Sequence, residues 1–291
     1  MRVNSRLLPA VAFALCCAWA APSPAFDLND LKKQLEEVRE KTDTGKKKVD
    51  QARGKVSPAQ EIEIGRNLIS GLLGAAPLVD NAPLQRYVND VGFWVAMQSK
   101  RAELPWRFGV IDSDGVNAFA APGGYIVITR GLFELLENEA QLAGVLAHEI
   151  VHVDRKHHLK ALQKSMKREF WTDLTVGTVS DKQDREKLGE LINAGVQLYA
   201  TGLDRKDEYQ ADLRGVVLAA RAGYDPYALL DVLTTIDSIN PDADQMEVML
   251  KTHPPTGERL ERLAASMDGR LDSYAAGKTN AARFSSLAAA R

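Results

Sequence analysis

The sequence predicts an α+β protein, mainly helical with one small sheet, and three observations carry that expectation. Only Trp106 to Thr129 combines β-branched and aromatic residues with turn signals in the manner of consecutive strands. On either side of it, apolar residues recur at helical spacing. The third observation is the run His148-Glu149-Ile150-Val151-His152, which falls inside a helical pattern from Glu139 to about Lys160. At 291 residues there is room for one large domain or two small ones.

The first 25 residues read as a secretory signal peptide. Arg2 and Arg6 form a basic start, Leu7 to about Ala21 is apolar, and Ser23-Pro24-Ala25 offers small residues for cleavage after Ala25, with Ala20 as the alternative. The apolar run falls short of the roughly 20 residues a membrane anchor needs. Cleavage removes two arginines and no acids, taking the formal charge from −2 to −4, and it removes Cys16 and Cys17, the only cysteines. The exported chain then has no thiol for a disulfide or a metal. A lipoprotein signal fits poorly, because Leu15 precedes Cys16 where a small residue is wanted. The near-balanced charge gives no reason to expect nucleic acid as a partner. No later segment is apolar enough to span a bilayer, so the mature chain is expected in a periplasm or outside the cell, meeting a membrane only peripherally.

Residues 26–56 are charged. Leu28, Leu31, Leu35 and Val38 form a narrow helical stripe, too short for a dimerising coiled coil, and Lys46-Lys47-Lys48 reads as a solvated linker. Residues 57–270 are the expected folded domain. Ser57-Pro58 has the chemistry of a helix start, with Ser as N-cap and Pro at the first position, for a helix to about Leu73. Pro83 opens the next, through Tyr87, Val91 and Val95. Strands are expected over Trp106–Ile111, Val116–Ala120 and Tyr125–Thr129, with turns at Asp112–Gly115 and Pro122-Gly123-Gly124. Asn138 and Gln141 are placed as a capping-box pair for the helix from Glu139. Further helical patterns cover about Asp184–Thr201, Arg205–Ala222, Pro226–Ile239 and Gly257–Met267. Residues 271–291, rich in Ala and Ser, are expected to be a poorly ordered tail.

The H-E-x-x-H run carries the chemistry. Histidines four apart on a helix share one face, so both imidazoles of His148 and His152 can reach a single ion. Glu149 lies about 100° further round, beside the ion and not on it, where a base can take a proton from a polarised water. A catalytic zinc wants three protein ligands and an open position. His158 falls on the last position of the longer H-E-x-x-H-x-x-G-x-x-H pattern, but Arg155 replaces the glycine that turns the chain. With the helix continuing, His158 would sit about 15 Å from His148 along the axis. His157 and His158 are therefore expected to face solvent or pack. Glu208, on a second predicted helix, is a better third ligand, and Asp212 one turn on could hold the outer nitrogen of a ligand histidine. Helix rules alone do not rank Glu208 above Glu186 or Glu190.

Longer blocks do. Asn117 to Leu132, Glu139 to His152, Glu208-x-x-x-Asp212, and Thr252-His253-Pro254-Pro255-Thr256 with Arg259 and Leu260 occur in this order. They closely resemble the HtpX-like and CAAX-prenyl-endopeptidase family of zinc metallopeptidases over roughly Ser57 to Leu263. Lacking membrane spans, the chain is most similar to the soluble, periplasmic BepA/LoiP-like branch, without the C-terminal tetratricopeptide array of BepA-like members. The resemblance implies a gluzincin fold, a small sheet beside two zinc-bearing helices. It implies one Zn2+ per chain held by His148, His152 and Glu208, with Glu149 as base. It places His253 near the metal, either stabilising the oxyanion or gating the site. Asn117 and Arg130 are implied either to line the site or to hold the strand ends. The strand from Tyr125 to Thr129 is expected at the sheet edge, where an extended substrate could add by main-chain hydrogen bonds. The implied activity is hydrolysis of unfolded or misassembled cell-envelope proteins. The competing reading is a zinc-stabilised chaperone or assembly factor with little proteolysis.

Overall fold

In the computed structural model, the described residues are 56–166, 189–191, 193–195, 202–239, 253 and 256–288. The expected signal peptide, the segment 26–55 and most of the helical pattern 184–201 lie outside them. Helix α1 (Pro58–Ala75) starts at a reciprocal capping box: the Gln60 N–H donates to Ser57 Oγ, and the Ser57 N–H donates to the Gln60 side chain. Helix α2 (Ala82–Ala96) is capped by Asn81, whose side chain accepts from the Leu84 N–H.

Three strands follow: β1 (Arg107–Ile111), β2 (Ala118–Ala121) and β3 (Tyr125–Thr129). Their order is β1-β3-β2, with β1 parallel and β2 antiparallel to β3. This corrects the edge-strand expectation for Tyr125–Thr129: β3 is central and both its sides are paired. Alternation and turn residues identify a strand, but not its neighbours in space. The outer side of β1 is closed as well. Gln85 on α2 donates to Val110 O and accepts from Val110 N, Asn89 accepts from Phe108 N, and Val79 N donates to Val110 O. The β2–β3 hairpin turns at Gly123 and Gly124, both at positive φ. It lies so close to α1 that a Cβ on Gly65 would stand 1.7 Å from the Pro122 carbonyl oxygen.

Helix α3 (Arg130–Leu135) leads into α4 (Glu139–Asp154), in which every residue from Glu139 to Val153 is buried. A helix buried on every side sits in the middle of a protein, and α4 packs against α2, β2, α6 (Arg205–Arg221) and α7 (Ala228–Ser238). Its Asn138 cap accepts from the Gln141 N–H, but Gln141 reaches back to the Glu137 N–H, one residue beyond the expected box. Glu139, almost without exposure, is satisfied by Tyr87 Oη at 2.7 Å, Tyr224 Oη at 2.9 Å and Asn280 Nδ2 at 2.7 Å. It ties the start of α4 to three distant segments.

The helix does not continue to Lys160. It ends at Asp154, Lys156 takes a left-handed conformation (φ 59°), and α5 begins at His157 and runs to Ser165. The break is held by tertiary contacts: Lys156 Nζ lies 2.6 Å from the buried Glu61, and Arg101 donates both to Glu61 and to the Val153 carbonyl. The chain closes with α8 (Thr256–Met267) and α9 (Ala281–Ala288). Where a poorly ordered tail was expected, Ala281–Ala288 is helical and Phe284 is buried against Phe133 and Tyr87, at ring separations of 5.0 and 6.3 Å. Among the described residues, no helix is long and apolar enough to cross a membrane.

Candidate metal centre

Two helices lie close enough to share a site because one of them carries glycine at the crossing. Gly215 on α6 faces the His148 backbone, and a Cβ there would lie 3.1 Å from His148 N. Across this contact α4 presents His148 and His152, and α6 presents Glu208. His148 Nε2 and His152 Nε2 are 3.0 Å apart; Glu208 Oε2 is 3.6 Å from the first and Oε1 is 3.5 Å from the second. Among the described residues this is the one group of three His, Cys, Asp or Glu side chains able to share an ion. Glu190, a rival on helix rules, is exposed.

The donor set fits a divalent metal. Four ligands about 2.0–2.1 Å from a tetrahedral ion stand roughly 3.3 Å apart, and the three observed separations bracket that value. Glu208 is fully buried, and its Oε1 accepts no hydrogen bond among the described residues. A buried carboxylate oxygen without a donor is costly unless a cation answers it.

The electrostatics point the same way. Burial opposes ionisation of Glu208, but His253, His152 and His148 outweigh it and hold the carboxyl well below its usual range. Asp212 is likewise kept ionised against burial by Arg259, which clamps it with Nε to Oδ2 at 2.9 Å and Nη2 to Oδ1 at 2.6 Å. Asp212 Oδ1 lies 2.9 Å from His148 Nδ1. A carboxylate only accepts, so this contact favours a proton on Nδ1 and leaves Nε2 as the atom that faces the site. Burial disfavours a charged His148, yet Asp212 and Glu208 push its pKa up to about 9. The site thus draws positive charge inward, and a metal ion would displace the proton.

Glu149 is buried beside His148, and burial raises its pKa despite the nearby His148 and His253. It borders a pocket walled by Leu132, Val145, Leu229, Val232 and Ile236, with Asn117, His253 and Arg259 as polar neighbours. His253 Nδ1 lies 2.6 Å from Glu208 Oε2, and its ring is 5.8 Å from that of His148. Asn117 is buried at the start of β2, where its Oδ1 accepts from the Ala118 N–H.

Arg130 and Tyr125 lie away from this pocket. Arg130 ion-pairs with Asp112, Asp114 and Glu134, fastening the turn after β1 to the start of α3. Tyr125 packs with Ile64 and Leu68 of α1, on the side of the hairpin away from the pocket. His157 and His158 pack, one of the two outcomes expected of them, but they pack against a site histidine. The break at Lys156 brings His157 Nδ1 to 3.1 Å from His152 Nδ1 and the His158 ring to 5.3 Å from that of His152, although neither joins the three-residue group. Burial lowers the pKa of both, that of His158 to about 3. Sequence reasoning gave no role to Arg259 or Gly215; a glycine inside a helical pattern is itself a signal of close approach.

Residues 81–267 match the sequence profile of Peptidase family M48. The chain is 30% identical over 212 residues to the beta-barrel assembly-enhancing protease of Escherichia coli strain K12, a match covering 70% of this chain and 43% of that protein. It is 28% identical over 207 residues to the protein of the same name from Yersinia pestis, covering 69% and 42%. Similarity extends to the mitochondrial metalloendopeptidase OMA1 of Schizosaccharomyces pombe, 26% identical over 181 residues, covering 62% and 52%. The chain spans about half or less of the length of these relatives. Two buried histidines and a distant glutamate converging beside an H-E-x-x-H glutamate agree with the profile match, and the chain belongs to peptidase family M48.

Proposed function

We propose that this protein is a zinc-dependent endopeptidase in which His148, His152 and Glu208 hold the ion and Glu149 is the general base. The observation that carries this reading is the convergence of three buried ligand atoms within 4.8 Å of one another, next to a buried carboxyl at an apolar pocket. When bound, zinc would supply Lewis-acid polarisation of the scissile carbonyl and of the attacking water. Glu149 takes the water proton and later delivers it to the leaving amine; its raised pKa brings it closer to the range where one group can do both. Asp212, locked by Arg259, fixes the tautomer and ring plane of His148. The aliphatic pocket walls receive an apolar substrate side chain, and Asn117 and Ala118 border its path.

We assign His253 the gating role. With its Nδ1–H on Glu208, a neutral ring keeps its lone pair at Nε2, a ligand atom able to compete for the open position.

The substrate class in this reading is unfolded or misassembled envelope proteins met in the periplasm; a relative's printed name, beta-barrel assembly-enhancing protease, and the signal peptide expected from the sequence support it. Casein cleavage by the purified protein tests the chemistry. Cleavage is expected to vanish with a chelator, return with zinc, and be absent in Glu149→Gln. An active Glu149→Gln enzyme removes the proposed base. Full rescue of an envelope-stress phenotype by the inactive variant would favour the chaperone reading.

A further inference from the structure

We propose that His157 is a positioning residue for the metal centre, accepting a hydrogen bond from His152 Nδ1 and so fixing the tautomer that leaves His152 Nε2 bare toward the ion. This rests on the metal-binding reading above, and it concerns the ligand histidine that has no carboxylate behind it.

A chain of donors and acceptors forces the assignment. Arg155 Nε can only donate, and it lies 2.8 Å from Gln210 Oε1. That amide therefore presents its oxygen to this corner. His157 Nε2, 3.3 Å from the same oxygen, must be the N–H side of its ring. A neutral imidazole has one N–H, so His157 Nδ1 is an acceptor. It faces His152 Nδ1 at 3.1 Å, which therefore donates, and the lone pair of His152 is left on Nε2. Nε2 is the atom that meets His148 Nε2 and Glu208. The opposite assignment would turn the His157 Nε2 lone pair onto the Gln210 oxygen and put the His152 proton on Nε2, facing the site.

The same geometry explains the left-handed residue at Lys156. Left-handed backbone is unfavourable for a non-glycine residue, and an uninterrupted helix would carry His157 round to another face of α4. Glu61, through Lys156, and Arg101, through the Val153 carbonyl, hold the turn that brings His157 back onto His152. His148 is thus backed by the Asp212–Arg259 pair, and His152 by an imidazole, an amide and Arg155.

Zinc affinity measured by competition with a chelator, alongside melting of the metal-free protein, tests this. His157→Ala and His157→Phe should weaken zinc binding by about 10- to 100-fold. His157→Asn, which returns an acceptor near the Nδ1 position, should recover most of that loss. Gln210→Leu leaves His157 in place without its acceptor and should weaken zinc several-fold, which keeps the test available if a His157 variant fails to fold. Comparison of Asn with Phe at matched apo melting temperatures separates positioning from packing. Wild-type affinity in His157→Ala, or an Asn variant no better than Phe, overturns the inference. A wild-type protein that binds no zinc overturns the metal reading itself, and this role with it.

Discussion

Replacing Arg259 by methionine should destabilise the metal-free protein by about 3–5 kcal/mol, because it strands a buried charge. Asp212 is 2% exposed and Arg259 3%, and the guanidinium makes two short bonds to the carboxylate. Methionine fills much of the same volume, so the loss is electrostatic more than steric. Among the described residues, the charged neighbour left to Asp212 is His148 Nδ1 at 2.9 Å. His148, its pKa already pushed up to about 9 and the nearby guanidinium now gone, would hold its second proton more firmly, and a metal has to displace that proton. Zinc affinity should therefore fall together with stability. For a domain of this size each kcal/mol moves the midpoint by about 2–4 °C, so the apo protein should melt roughly 6–20 °C lower. Unfolding followed in a chelator keeps bound metal from masking the loss. The double variant Asp212→Asn/Arg259→Met, with no stranded charge, should melt above Arg259→Met alone. A single variant within about 2 °C of wild type would refute the account of a buried carboxylate that depends on its arginine.

Glu61→Gln should lose about 2–3 kcal/mol at pH 7, below the range for a fully buried pair because Lys156 is 35% exposed. Burial opposes ionisation of Glu61, but Arg101 and Lys156 lower its folded pKa below 4.5. The stabilisation is complete above that unfolded value and drains away as pH falls through the lowered one. Urea unfolding should show the gap between wild type and variant narrowing below about pH 4, and a gap that stays constant would contradict the linkage. His253→Ala should raise casein cleavage with zinc content unchanged, whereas equal or lower activity would count against gating.

The legible parts of this fold are those set by local chemistry. Ser57-Pro58 capped a helix as its side chains required, and β3 runs over the Tyr125–Thr129 stretch marked by β-branched residues. The four-residue spacing of His148 and His152 is enough by itself to bring two ring nitrogens together, 3.0 Å apart. The departures all depend on residues distant in sequence. Nothing near Lys156 signals a helix break: neither glycine nor proline is present, and the turn is held by Glu61 and Arg101 from the other end of the domain. The segment around Arg130 left lining the site and holding a strand end both open, and the three acids that hold it at the surface are not adjacent to it in sequence. Tyr125 and the central position of β3 turn on which elements flank the hairpin, which alternation does not encode. Phe284, set among alanines and serines, anchors a segment whose composition suggested disorder.

Metal content of purified wild type and Glu208→Ala, measured after dialysis against trace zinc, tests the central claim most directly. One zinc per wild-type chain and almost none in the variant is the predicted result. A variant that keeps its full equivalent would show that the carboxylate on α6 is not a ligand, and the three-ligand centre would fall with it.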